Sequence, residues 1–99
     1  MNANPWTLPK HNRIRRLLVS LGERVARACE IIEDEDPDTV TLRHSDLRRL
    51  RARIYLQGQP RGTYGIAFEF PSAVPQVLAR QEALDLGAAV RCLATHFDA

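Results

Sequence analysis

Between Arg49 and Gln57 the chain reads RLRARIYLQ, an unbroken alternation. A period of two puts Leu50, Ala52, Ile54 and Leu56 on one side and Arg49, Arg51, Arg53 and Tyr55 on the other. QPRG follows, with Pro60 and Gly62 at the second and fourth places of a four-residue turn, which suits type I. TYGIAFEF then alternates again, with Tyr64, Ile66, Phe68 and Phe70 on one side. Two alternating runs about a Pro/Gly turn predict a β-hairpin. A helix is the competing reading. Ser45 offers an N-cap, Gly58 a C-terminal glycine, and Leu47, Leu50 and Ile54 a shared face. The helix leaves the second alternating run unexplained, whereas the hairpin accounts for both.

The flanks read as helices. In residues 10–33, Ile14, Leu18, Leu21, Val25, Ala28 and Ile32 recur at helical spacings of four and three. One long helix is expected there, capped by Asn12 and interrupted by nothing stronger than Gly22. The acids and Pro37 of EDEDPDT end it. TVTLRH, Thr39 to His44, reads as a strand with Val40 and Leu42 inward. Pro71 and Pro75 break the chain again, and residues 76–97 read as a second helix with Ala83, Leu86, Val90, Leu93 and Phe97 on one face. Residues 1–9, with two prolines and Trp6, read as an extended arm, and residues 10–99 as one domain. The expected fold is α+β in the order α-β-β-β-α: a three-stranded antiparallel sheet with both helices on one face. Its strand core would be Val40, Leu42, Leu50, Ile54, Leu56, Ile66, Phe68 and Phe70. This order resembles that of double-stranded-RNA-binding domains. Their lysine-rich second-helix start has no counterpart in AVPQVLARQEALDL, and no residue roles are carried over.

Composition narrows the class. With 99 residues, 44% of them hydrophobic and 26% charged, the chain supports one modest core. The net charge of +2 imposes no global field, but its distribution is uneven. Residues 33–38 hold five acids, and residues 39–65 hold six arginines against Asp46 alone. Arginine outnumbers lysine thirteen to one, a bias expected of a GC-rich bacterial genome or its mobile elements. Cys29 and Cys92 lie far apart with no CxxC spacing and read as reduced, buried thiols. The N-terminus has no apolar leader-like stretch and no long apolar run occurs, so a cytoplasmic protein without membrane contact is expected.

No pattern of residues carries catalysis. There is no phosphate-binding glycine loop, nucleophile elbow or HExxH pair, and His11, His44 and His96 lie in separate elements. Asp34, Asp36 and Asp38 have the opening spacing of a calcium loop. Thr39 and Ser45 then stand where that loop needs glycine and glutamate. No enzyme, metal or cofactor is expected. The hairpin instead leaves an uncovered, basic sheet face. Arg43, Arg49, Arg51, Arg53, Tyr55 and Arg61, with Gly65 and Ala67 as a flat strip, form its candidate partner-binding residues. Glycine within a strand often marks close approach by another group. The expected role is a non-enzymatic protein-interaction module (adaptor, inhibitor or regulatory subunit), homodimeric through the helical seam, with an acidic protein surface as partner. The same arginines, with Tyr55 as a stacking platform, define the alternative of nucleic-acid binding.

Overall fold

A computed structural model describes residues 8–32, 34–70 and 79–98. Two helices open the chain, α1 (Asn12–Ser20) and α2 (Gly22–Ala28). Five strands follow, β1 (Cys29–Ile32), β2 (Thr39–His44), β3 (Arg51–Tyr55), β4 (Tyr64–Glu69) and β5 (Ala79–Leu84), before the closing helix α3 (Leu86–His96). The strands lie side by side in chain order, every neighbouring pair antiparallel. The α+β class and the central hairpin are as expected. The sheet has five strands rather than three, and the first helix is broken rather than long.

Both differences have local causes. Gly22 takes φ +84°, in the left-handed region that resists a side chain, and this separates α1 from α2. Cys29 then turns extended, at φ −125° and ψ 157°. From there a helix would run through β-branched Ile31 and Ile32 toward a cluster of acids that opposes the helix dipole. Pairing with β2 satisfies the same backbone groups: Cys29 lies opposite His44 and Ile32 opposite Thr41. At the other end, residues 79–84 pair with the free edge of β4 instead of continuing a helix. The expected helix over 76–97 therefore shortens to Leu86–His96, where the Asp85 carboxylate accepts the Ala88 N–H at 2.7 Å as N-cap. The start of that expectation and the Trp6 arm lie outside the described residues. α1 is capped by the His11 ring, which accepts the Arg13 N–H at 3.1 Å, rather than by Asn12. The hairpin loop contains two successive turns rather than one, closed by Gln59 N–H to Leu56 O and Thr63 N–H to Pro60 O.

One core joins the helices to one face of the sheet. Ile14, Leu17, Leu18, Leu21 and Val25 from the first helices meet Ala89, Leu93 and Phe97 from the last. Beneath them lie Val40, Leu42, Ala52, Ile54, Tyr64, Ile66 and Phe68, the inward residues of β2, β3 and β4. Four residues of the helical seam, Ile14, Leu18, Leu21 and Val25, thus lie in the core of the chain itself. Leu50 is buried from the loop before β3, Leu56 is half-buried, and Phe70 is 43% exposed, so the expected core loses its last aromatic. Tyr64 fastens α1 to the hairpin: its hydroxyl donates to Arg13 O at 3.0 Å, and the Arg13 guanidinium lies 5.0 Å from its ring centre while bonding Thr63 O. Leu8 packs on this core and Lys10 is buried, so the body begins before residue 10. No described helix is long and apolar enough to cross a membrane.

Candidate functional site

Register fixes what stands on the face opposite the helices. Across the strands, one row reads Glu30, Arg43, Arg51, Glu69. The next reads Ile32, Thr41, Arg53, Ala67, Arg80, and the third Thr39, Tyr55, Gly65. Side chains alternate across a sheet, so all of these share the outer face. No described helix covers it.

The arginines on this face are not equivalent. Arg43 pairs with Glu30 at 3.2 Å, and Arg51 grips Glu69 through Nε and Nη2, each at 2.6 Å. These pairs are partly solvated, so each stabilises the fold by only about 0–1 kcal/mol. Their larger effect is to neutralise two of the cations. Arg53 is exposed and makes no ion pair with a described residue; Ala67 beside it is half-buried. Arg80, on β5, holds its guanidinium 5.5 Å from the centre of the Tyr55 ring, a cation–π arrangement.

The third row is closed. Tyr55 lies across Gly65, where a Cβ would overlap the ring at Cε2 and Cζ and stand 2.8 Å from the hydroxyl oxygen. Gly65 is therefore the seat of the protein's own tyrosine rather than a strip open to a partner. Thr39 is buried beside it, and Thr39 Oγ1 and Tyr55 Oη are screened from water with no hydrogen bond among the described residues.

Of the candidate residues, Arg43, Arg51, Arg53, Tyr55, Gly65 and Ala67 come together on this face. Arg49 does not, because β3 starts only at Arg51 and Arg49 sits in the preceding loop. At the end of β2, His44 is buried, and its Nδ1 accepts the Asp46 and Leu47 N–H groups of that loop at 3.1 Å each. Arg61 stands in the hairpin loop at the sheet's end. Arg80 is a face residue that sequence reasoning missed, since its segment reads as helix. Glu30 was missed for the same reason.

The acidic stretch is structural. Asp34 Oδ1 accepts the Asp36 N–H, and Asp36 Oδ1 the Asp38 N–H, each at 2.9 Å, which folds the β1–β2 connection into consecutive Asx turns. The Lys10 ammonium caps the turn, 2.7 Å from Asp34 Oδ1, 3.2 Å from Asp34 O and 2.6 Å from Asp36 O. Burial alone would raise the Asp34 carboxyl. The hydrogen bonds from Lys10 and the Asp36 N–H, with the charges of Lys10 and Arg53, outweigh it and hold Asp34 below the usual carboxylate range. Among the described residues no three His, Cys, Asp or Glu side chains are placed to hold a metal ion. Cys29 is buried, which pushes its thiol up to about 11 and makes it a poor nucleophile at neutral pH.

His96 ties α3 to the sheet. Its Nε2 lies 2.8 Å from Arg51 O, and its ring contacts Phe68, Phe70 and Phe97 at centroid distances of 4.8, 5.0 and 4.8 Å. Burial lowers its pKa from 6.5, opposed by the backbone carbonyls of Arg51 and Glu69. The unfolded chain therefore takes up this proton first. The stabilisation is complete above about pH 6.5 and is lost progressively below it, until the folded group also protonates. His96→Gln is expected to flatten the fall in urea midpoint just below pH 6.5; a slope parallel to wild type would contradict the assignment.

Comparison with protein-family models, curated proteins and solved structures finds no match for this chain.

Proposed function

We propose that the protein is a small non-enzymatic interaction module, of the adaptor, inhibitor or regulatory-subunit kind, which docks another protein on the outer face of its sheet. The observation that carries this reading is a pair of rows on that face, half-buried toward β1 and β2 and exposed at Arg51, Arg53, Glu69 and Arg80. Ile32, Thr41, Arg53, Ala67 and Arg80 stand beside Glu30, Arg43, Arg51 and Glu69, opposite the helix-covered core. Arginine and tyrosine are enriched in protein interfaces, and fixed charges of both signs set register and exclude wrong partners. Ion pairs within the row hold Arg43 and Arg51 in place before a partner arrives, which reduces the entropy lost on docking.

A nucleic-acid reading of the same face draws support from Arg53, Arg80 and the Tyr55 ring. The pairing of Arg43 with Glu30 and of Arg51 with Glu69 weighs against it, because it leaves two unpaired arginines on the strand rows for a run of phosphates.

A photo-crosslinking amino acid at Ala67, compared with one at exposed Ser20 on α1, separates the readings in the native host. The docking reading expects a discrete protein adduct from Ala67 alone. That protein, once purified, should bind wild type but not Thr41→Arg, with weak dependence on salt. A nucleic-acid adduct whose affinity falls steeply with log salt concentration would overturn it.

A further inference from the structure

We infer that Arg53, Ala67 and Arg80 form a seat for a single carboxylate, supplied by an acidic side chain of the protein partner. The inference rests on the docking reading and names the group that this face selects.

Four arginines stand on the outer strand rows, and two of them, Arg43 and Arg51, are already neutralised by Glu30 and Glu69. The other two occupy one row on either side of Ala67. With strands about 4.8 Å apart, their backbones lie roughly 10 Å from each other. The residue between them carries only a methyl group. No large side chain therefore separates the two arginine stems along this row.

Neither cation makes an ion pair with a described residue. Arg80 is steadied by the Tyr55 ring, which limits its rotamers without cancelling its charge. Asp34, whose carboxyl feels the charge of Arg53, is held by Lys10 at 2.7 Å and anchored to its own turn. A guanidinium fork matches the two oxygens of a carboxylate, and charge-assisted bonds of this kind are the stronger ones.

The surroundings favour one anion over many. The neighbouring row, Glu30, Arg43, Arg51 and Glu69, is paired within itself and offers no free cation to a run of phosphates, whereas one carboxylate needs only Arg53 and Arg80. The partner's recognition segment therefore presents an isolated Asp or Glu among neutral residues.

The full chain is panned against a phage-displayed random-peptide library, with a single-stranded oligonucleotide as a parallel probe. Selected peptides are expected to share Asp or Glu at one fixed position. Changing that residue to its amide, or making Arg53→Gln or Arg80→Gln in the protein, should each weaken binding about tenfold or more. Arg43→Gln should change it less than about twofold. Ala67→Asp places a carboxylate in the seat from within and should abolish binding with the circular-dichroism spectrum unchanged; Ala67→Ser should retain it. Peptides that lose binding with Ala67→Asp yet carry no shared acid overturn the seat and leave the docking face standing. A library that yields no binder sensitive to Ala67→Asp overturns both. Tighter binding of the oligonucleotide, lost equally with Arg43→Gln and Arg53→Gln, replaces both with the nucleic-acid reading.

Discussion

Lys10→Arg is expected to lower the unfolding free energy by about 2–3 kcal/mol, although arginine is this chain's usual cation. Lys10 is the one lysine beside thirteen arginines, and its side chain is only 4% exposed. Geometry explains the exception. Three oxygens converge on one point: Asp34 Oδ1, Asp34 O and Asp36 O lie within 3.2 Å of Nζ. An ammonium is a compact charge with three donors directed around one atom, so it satisfies all three. A guanidinium is planar, spreads its donors over a fork, and has no room in a pocket shaped for a point. The bond also closes structure distant in sequence. With His11 N–H donating to Pro37 O at 2.8 Å, it clamps the start of α1 to the β1–β2 turn. Lys10→Met should cost a similar amount, because it leaves Asp34 and two carbonyls with fewer donors. Asp34→Asn should cost less, since the amide oxygen can still accept and this side chain is 38% exposed. For a domain this size the lysine variants should melt roughly 10 °C lower. Urea midpoints with unchanged m-values are the measurement. A Lys10→Arg protein as stable as wild type would show that the charge, not its shape, is what the turn requires.

The elements legible in the sequence are those buried on one face. β2, β3 and β4 each alternate because one side meets the helices and the other does not, and that contrast is written into residues 39–44 and 49–70. β1 and β5 are illegible for opposite reasons. Ile32 fits the helical seam of residues 14–28 as well as it fits a strand, so periodicity cannot choose; the free edge of β2 does. Residues 79–84, ARQEAL, have helix-favouring composition and lie exposed at the sheet edge, where no buried face imposes alternation. Only the edge of β4 makes them a strand, with Ala83 at φ 56° where the register slips. The candidate site follows the same division. Arg43, Arg51, Arg53, Tyr55, Gly65 and Ala67 share a face because alternation alone places them. Which arginines are paired, and which others join them on the face, depends on neighbours across the sheet: Glu30 comes from β1 and Arg80 from β5, the two strands that periodicity does not reveal. A basic face in sequence thus becomes a mostly neutralised face with two cations in register.

Gly65 is the position where the two levels of description meet most sharply, and its replacement by alanine should change sign with context. In a strand, alanine is ordinarily better than glycine by about 0.5–1 kcal/mol, because less backbone entropy is lost on folding. Here the added methyl would overlap the Tyr55 ring. The tyrosine is the softer partner, since the clash is with the far end of its side chain, so it should swing off the sheet and expose the apolar area it now covers. Gly65→Ala is therefore expected to destabilise wild type by about 1–3 kcal/mol, the usual cost of overpacking. In a Tyr55→Ala background the same change meets empty space and should stabilise. The double-mutant cycle then yields a coupling of about 2 kcal/mol between residues directly opposite on β3 and β4. The effect should carry into binding. Arg80 rests against that ring, so displacing it frees the guanidinium, and Gly65→Ala should weaken a carboxylate ligand even though residue 65 is buried and touches no partner. A Gly65→Ala that stabilises both backgrounds would mean that the ring does not hold this place in solution. The order of the third row, and with it the steadying of Arg80, would then have to come from elsewhere.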